Sequence, residues 1–463
     1  RPGMILFSVV VLFLCAGILT PKEMLEGFSN KGMITVALLF LVSEGIRQSG
    51  TLGQVIKKLL PQGKTTVFKA QLRILPSVAF ISAFLNNTPV VVIFAPIIKH
   101  WAKSVNLPAT KFLIPLSYVT ILGGICTLIG TSTNLVVHGM ILEAGFEGFS
   151  MFELGKVGIF IAIAGIIYIF LFSKRLLPDA RPDTAVPDEE VEEGEKLHRV
   201  EAVLGARFPG INKKLKDFNF QRHYGAEVKE IKTRNGQRFV SNLEEVVLHE
   251  GDTLVVMADD TFIPTWGESS VFVLLTNGNE PDTTGKKKKR WFALLLLVLM
   301  IVGATVGELP ITKEMFPDIK LDMFFFVSIT TIIMAWTNLF PARKYTKYIS
   351  WDILITIACA FAISKAMVNS GVADSVAKFI IGLSDDYGPH VLLAMVFIIT
   401  NLFTELITNN AAAALAFPLA LSISAQLGVS PTPFFVVICM AASASFSTPI
   451  GYQTNLIVQG IGN

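Results

Sequence analysis

Charge is what this sequence has least of. Only 16% of its 463 residues are Asp, Glu, Lys or Arg, while 52% are hydrophobic and the mean hydropathy is +0.58. A soluble domain is normally near a quarter charged, so the composition argues for a membrane protein. Cysteine is scarce as well. Cys15, Cys126, Cys359 and Cys439 sit singly in apolar segments, so core packing is expected rather than disulfides or a metal centre. The six histidines form no HxH or HxxxH pair. No nucleophile–base pair is visible, which argues against an enzyme. No G-x-G-x-x-G follows a strand, no TVGYG-like filter supports a potassium channel, and the net charge of +3 carries no nucleic-acid signature.

What the chain does have is apolar runs long enough to span hydrocarbon. The clearest are Met4–Thr20, Gly32–Ser49, Leu113–Leu135, Phe152–Leu171, Trp291–Val306, Met323–Phe340, Trp351–Met367 and Val391–Leu406. Pro89–Ile98 and Phe434–Ser447 are shorter and are expected to be halves of broken helices. Met4–Thr20 is expected to be a span rather than a cleaved signal, because Pro21 and Lys22 follow it instead of a small-residue cleavage site. Arg1 is not an initiator Met and the pattern is cut at Asn463, so further helices are expected at either end.

Composition changes sharply near Pro178 and again near Arg290, dividing the chain into membrane halves at 1–177 and 291–463 around a polar region at 178–290. That region opens with an acidic linker, PDEEVEEGEK (187–196). Asn235-Gly236 then reads as a hairpin turn and HEGDTLVVMADD (249–260) as turn, buried strand, turn, giving a small α/β domain. Lys174, Arg175 and KKKKR (286–290) flank it, and positive charge beside spans marks the cytoplasm. The basic loops 57–73, 99–111 and 341–348 fall on the same side, whereas 384–390 and 426–433 read as outside.

The two membrane halves repeat each other. SEGIRQSG (43–50) matches SKAMVNSG (364–371) at an offset of 321, and TLIGTSTN (127–134) matches TPIGYQTN (448–455) at the same offset. NNTPVVVIFAP (86–96) matches TNNAAAALAFP (408–418) at 322, aligning Asn87 with Asn409. Loops flanking matched blocks lie on opposite sides, so the repeat is expected to be inverted, with a binding site at the repeat interface. An unpartnered amide in hydrocarbon costs a few kcal/mol. A lone Asn would read as helix–helix glue. Recurring in both copies ahead of small residues and a proline, the asparagines suit the tips of re-entrant hairpins lining a polar cavity. The expected fold is therefore an all-α polytopic membrane protein with inverted repeats, re-entrant hairpins and broken helices.

The motifs offer hydroxyls, amides, exposed carbonyls and helix N-termini, without Arg or Lys. Neutral oxygens suit a monovalent cation such as Na⁺, and helix N-termini favour an anion. Cation-coupled anion uptake is the expectation. Glu405 lies one residue after Thr404, where it would serve as a structural acceptor for backbone N–H groups, tune cation affinity or carry a proton. Asn134 and Asn455 are expected to cap the second half-helices.

The residues Asn86-Asn87-Thr88 and Thr408-Asn409-Asn410 resemble the Ser-Asn-Thr signatures of the divalent anion:sodium symporters, the INDY-type family of the ion transporter superfamily. They depart from it at one and two positions, with the central asparagine kept in both. The resemblance implies one sodium site at Ser82, Asn86, Asn87 and the Cys126 carbonyl, and another at Thr404, the Ile407 carbonyl, Asn409 and the Ser447 carbonyl. It implies anion contacts at Asn87, Thr88, Asn409, Asn410, Thr448 and Pro449, with Thr127 as the first-half counterpart of Thr448. It also implies a homodimer with elevator-type movement and no organic cofactor.

GDTLVVMADD resembles the C-terminal domain of potassium-uptake regulatory subunits (TrkA-C, or RCK-C), whose ligand here would be a small molecule, a nucleotide or none. Its combination with ELITNNAAAAL and TPIGYQTNL resembles the sulfate-transporter branch. Sulfate is therefore the expected substrate. A dicarboxylate, a Na⁺/H⁺ antiporter or arsenite-type pump, and a potassium channel or channel-regulatory protein remain as alternatives.

Overall fold

In the computed structural model, residues 2–178, 197–205, 207–233, 237–259, 262–266, 271–276, 287–382, 388–448 and 451–462 are described. The acidic linker, Asn235-Gly236, residues 384–387 and Pro449 lie outside them.

The first half runs through α1 (Pro2–Cys15), α2 (Pro21–Glu26), α3 (Lys31–Gln48) and α4 (Thr51–Leu59). It continues with α5 (Val67–Ser82), α6 (Asn87–Ser104), α7 (Thr110–Gly124), α8 (Ser132–Glu143) and α9 (Gly155–Leu176). Local chemistry sets the starts. Thr20 and Glu23 form a reciprocal capping box on α2, and Asn30 accepts from the Gly32 and Met33 N–H groups on α3. The apolar run Leu113–Leu135, in which TLIGTSTN was expected to interrupt a helix, is two helices, α7 and α8, separated at 125–131. Pro89–Ile98 is not half a broken helix. It lies within α6, an 18-residue helix returning from a hairpin, with Pro96 inside it.

The polar region holds β1 (His198–Leu204), α10 (Phe220–Tyr224), β2 (Glu227–Lys232), β3 (Arg238–Phe239), β4 (Thr253–Ala258), α11 (Phe262–Trp266) and β5 (Phe272–Thr276). The strands make one antiparallel sheet in the order β3-β2-β4-β1-β5. LVVMA of the expected buried strand lies in β4, paired on both sides, which explains why its apolar run does not alternate. Phe208, Phe218, Phe220, Tyr224 and Phe272 pack its own core.

The second half comprises α12 (Lys287–Gly307), α13 (Pro310–Met315), α14 (Met323–Trp336), α15 (Tyr345–Tyr348), α16 (Trp351–Asn369) and α17 (Val372–Gly382). It ends with α18 (Pro389–Leu406), α19 (Asn409–Leu427), α20 (Thr432–Ser443) and α21 (Gln453–Gly462). Among the described residues, six helices are long and apolar enough to cross a membrane, including α9, α16, α18 and α19. Phe160 and Leu171 on α9 and Leu402 on α18 stand fully outward, as side chains solvated by lipid would. The chain is thus a polytopic integral membrane protein. Glu44 and Arg47, in the matched SEGIRQSG block, pair at 2.6 Å.

The sheet is bolted to two particular helices. Glu201 on β1 meets Lys99 near the end of α6 at 3.1 Å and Lys232 on β2 at 3.5 Å. Burial alone would raise the Glu201 carboxyl, but these two ammonium groups outweigh it and hold it below the usual carboxylate range. Thr253 donates to the Gly460 carbonyl of α21 at 2.7 Å, and a Cβ on Gly460 would meet Val203 at 3.2 Å.

Candidate functional site

Two helical hairpins organise the site. α5 and α6 meet at a turn over 83–86, and α18 and α19 meet at 407–408, so both asparagines open the returning helix of a hairpin. Each hairpin packs on a helix that stops short, α7 or α20, and each stopped helix resumes as α8 or α21. The tips cross over. α6 packs against α21 of the other half, and α19 packs against α8.

The wiring behind the tips recurs bond for bond. Ser82 Oγ lies 2.8 Å from the Asn87 side chain and donates to the Thr120 carbonyl at 2.8 Å. In the other half, Thr404 Oγ1 lies 2.8 Å from Asn409 Oδ1 and 2.7 Å from the Ala442 carbonyl. Asn134 donates to the carbonyls of Gly124 (3.3 Å) and Thr127 (2.8 Å), and Asn455 donates to those of Ser445 (2.9 Å) and Thr448 (3.3 Å). Asn134 and Asn455 therefore do not cap the N-termini of the resumed helices, as expected from sequence. They bind carbonyls freed where the preceding helix stops, because an unwound backbone has acceptors to satisfy as well as donors.

At the front, partners come from opposite halves. Asn410 Oδ1 accepts from Ser132 and Thr133 at 3.2 Å each, and Thr88 reaches Gln453 Oε1 at 3.3 Å. Asn87 and the Tyr452 hydroxyl are 2.6 Å apart, and that hydroxyl is 2.9 Å from Thr131 Oγ1. The N-caps of α6, α8 and α19 are Asn86, Thr131 and Thr408, and none of their side chains caps its helix. Three helix N-termini therefore point unsatisfied N–H groups and partial positive charge into one region, a favourable place for an anion.

Ser82, Asn87, Thr127, Thr404 and Asn410 are buried, and Asn86, Thr88, Asn409 and Thr448 are half-buried. Ile407 and Ser447 are exposed, and Pro449 is outside the described residues. The Cys126 carbonyl faces α9, where a Cβ on Gly155 would approach it to 2.8 Å. Thr127 donates to the Ala83 carbonyl, whereas Thr448 donates to Glu405 Oε2 at 2.8 Å. Glu405 Oε1 also accepts from the Ser447 N–H at 3.2 Å, so this carboxylate satisfies the broken-helix backbone. Gly124 leaves room for the amide, since a Cβ there would lie 2.5 Å from the Asn87 side-chain amide. Sequence reasoning missed Thr131, Ser132, Thr133, Tyr452 and Gln453. All five lie in or beside the matched blocks 127–134 and 448–455, so the repeat itself was the available signal.

A profile of the citrate transporter family (CitMHS) matches residues 1–422 and, in a second match, 319–463. An uncharacterized transporter of Synechocystis, sll0640, is 29% identical over 98% of this chain and 88% of its own length. A putative sulfur deprivation response regulator of Chlamydomonas reinhardtii is 27% identical over 99% of this chain and 92% of its own. Sodium/sulfate cotransporter 1 of the same alga is 33% identical over 60% of this chain and 31% of its own length. With the family profile spanning the chain and the helices described above, this protein is a transporter, not an enzyme, and belongs to the citrate transporter family.

Proposed function

We propose that this protein is a sodium-coupled symporter of a divalent anion, with sulfate as the anion. The observation that carries the reading is the meeting of three uncapped helix N-termini with two hairpin tips. Such a region attracts an anion, and its neutral oxygens suit Na⁺, whose charge would neutralise the anion in the absence of a basic residue in the motifs. In this reading Ser82, Asn86, Asn87 and the Cys126 carbonyl hold one sodium ion. Thr404, the Ile407 carbonyl, Asn409 and the Ser447 carbonyl hold the other. Asn87, Thr88, Thr127, Asn409, Asn410, Thr448 and Pro449 face the anion. The names of the Chlamydomonas sodium/sulfate cotransporters favour sulfate.

The broader architecture follows the same reading. The matched blocks form an inverted repeat working by an elevator-type movement in a homodimer. The chain belongs to the divalent anion:sodium symporter branch, and residues 178–290 form a cytosolic TrkA-C-like domain. The contact of β1 with Lys99, at the end of a basic loop assigned to the inside, supports that placement.

A second reading, sodium-driven dicarboxylate uptake, draws on a sodium-dependent dicarboxylate transporter of Staphylococcus saprophyticus, 28% identical over 26% of this chain. Radiolabelled sulfate uptake into proteoliposomes, with and without an inward Na⁺ gradient, separates the two. Sodium-stimulated sulfate uptake is expected. Succinate uptake without sulfate uptake would move the protein to the dicarboxylate reading, and Na⁺-driven proton movement without anion flux would make it an antiporter.

A further inference from the structure

Tyr452 has no place among the ligands proposed above, yet it occupies the junction between them. It is buried, 8% exposed, on the turn that precedes α21. At an offset of 321 its repeat counterpart is Thr131, and the two hydroxyls touch at 2.9 Å. A residue in contact with its own counterpart lies where the two halves meet. The longer side chain then reaches the Asn87 amide at 2.6 Å, and the Asn409 amide stands beside the same hydroxyl.

The proton arrangement is constrained by the acceptors around it. The Asn87 amide is satisfied on both atoms when its oxygen faces the phenol (2.6 Å) and its nitrogen faces Ser82 Oγ (2.8 Å), the Thr120 carbonyl (3.1 Å) and the Gly130 carbonyl (3.3 Å). The single phenol proton then goes to Asn87, and the phenol oxygen is left to accept from Thr131 with the Asn409 amide beside it. Asn409 Oδ1 in turn meets Thr404 Oγ1 at 2.8 Å. A continuous path results: Ser82, Asn87, Tyr452, Asn409, Thr404. Its two ends belong to the two proposed sodium sites, and Tyr452 lies between them.

We propose that the Tyr452 hydroxyl is a positioning residue that couples the two cation sites, a role that rests on the sodium-symport reading. A cation taking Asn87 Oδ1 as a ligand competes with the phenol proton for that oxygen and weakens their hydrogen bond. When that proton turns to another acceptor, the hydrogen bonds presented to Asn409 change before a second cation arrives. Buried networks with every member satisfied transmit such changes because no water is at hand to absorb them.

The test is Tyr452→Phe, which removes one oxygen and keeps the ring, read by sodium titration in two ways. One is sulfate uptake, and the other is Na⁺-dependent thermal stabilisation of the detergent-solubilised protein without any anion. The parent is expected to respond sigmoidally to Na⁺ and the variant hyperbolically, with half-saturation shifted by about 2- to 12-fold, the equivalent of one hydrogen bond. Thr131→Val, which removes a second partner of the hydroxyl, should shift half-saturation in the same direction by less. Unchanged sigmoidicity and half-saturation in a Tyr452→Phe protein of normal membrane abundance would make the phenol mere packing and overturn the inference. Loss of folding in Tyr452→Phe together with parent-like titration of Thr131→Val would overturn it too. A parent that shows no response to Na⁺ in either assay would sink the sodium reading itself, and this inference with it.

Discussion

The two halves of the membrane region are alike behind the hairpin tips and unlike in front of them. Behind, Ser82 and Thr404 hold equivalent carbonyls, and Asn134 and Asn455 bind the carbonyls of equivalent breaks. In front, the chemistry is exchanged. Tip one presents a hydroxyl, Thr88, to an amide, Gln453, while tip two presents an amide, Asn410, to the hydroxyls of Ser132 and Thr133. Three further positions break the likeness: Ala83 against Glu405, Thr131 against Tyr452, and Ser117 against Cys439. Bonds that hold unwound backbone have one good solution, so both copies keep it. The groups in front of the tips carry no such backbone constraint, so the two copies are free to differ.

The largest effects should come where the halves still agree. Asn87→Ala and Asn409→Ala each strand partners whose loss costs about 1–3 kcal/mol, or about 5- to 150-fold. Because in the proposed reading both cation and anion then lose a ligand, uptake should fall to background while membrane abundance, checked by immunoblot, is kept. Near-normal uptake in both would return these asparagines to helix–helix glue.

Glu405 sharpens the comparison, since Ala83 does without a carboxylate. Glu405→Ala removes the acceptor for the Ser447 N–H and Thr448 and should lower sulfate uptake about 10-fold, within the usual cost of leaving such groups unsatisfied. Glu405→Gln keeps an acceptor oxygen and should retain most activity. If Gln proves as damaging as Ala, the charge itself is needed, and proton-coupled antiport gains.

The smallest effect would repair an asymmetry. Ser117 donates to Asn455 Oδ1 at 2.7 Å, but Asn134 Oδ1 is buried without a partner among the described residues, and Cys439 stands at the position matching Ser117. Cys439→Ser should supply the missing donor, worth about 1 kcal/mol, and raise the melting temperature by about 1–3 °C. A drop would show that the buried thiol packs better than a hydroxyl bonds.

Much of this was legible along the chain. The apolar runs, the repeated blocks and the asparagines that open the returning helices were visible, because hydrophobic runs and recurring polar residues are local signals. The break at 125–131 was legible only through the TLIGTSTN motif, since the apolar run Leu113–Leu135 passes over it. Hydropathy averages over a window and does not register one unwound turn. The anchoring of the sheet on α6 and α21 through Lys99 and Gly460 left no mark in sequence, since neither residue belongs to a motif.

By itself the sequence determined a membrane-embedded chain with two related halves and polar groups too costly to bury without partners. Only the tertiary structure decided which partners those are. Thr88 and Gln453, or Asn87 and Tyr452, are 365 residues apart, and no periodicity specifies a bond across such a distance. It is fixed by the packing of α6 on α21 and of α19 on α8, which brings each tip to the opposite half, where the freed donors and acceptors of a broken helix await it.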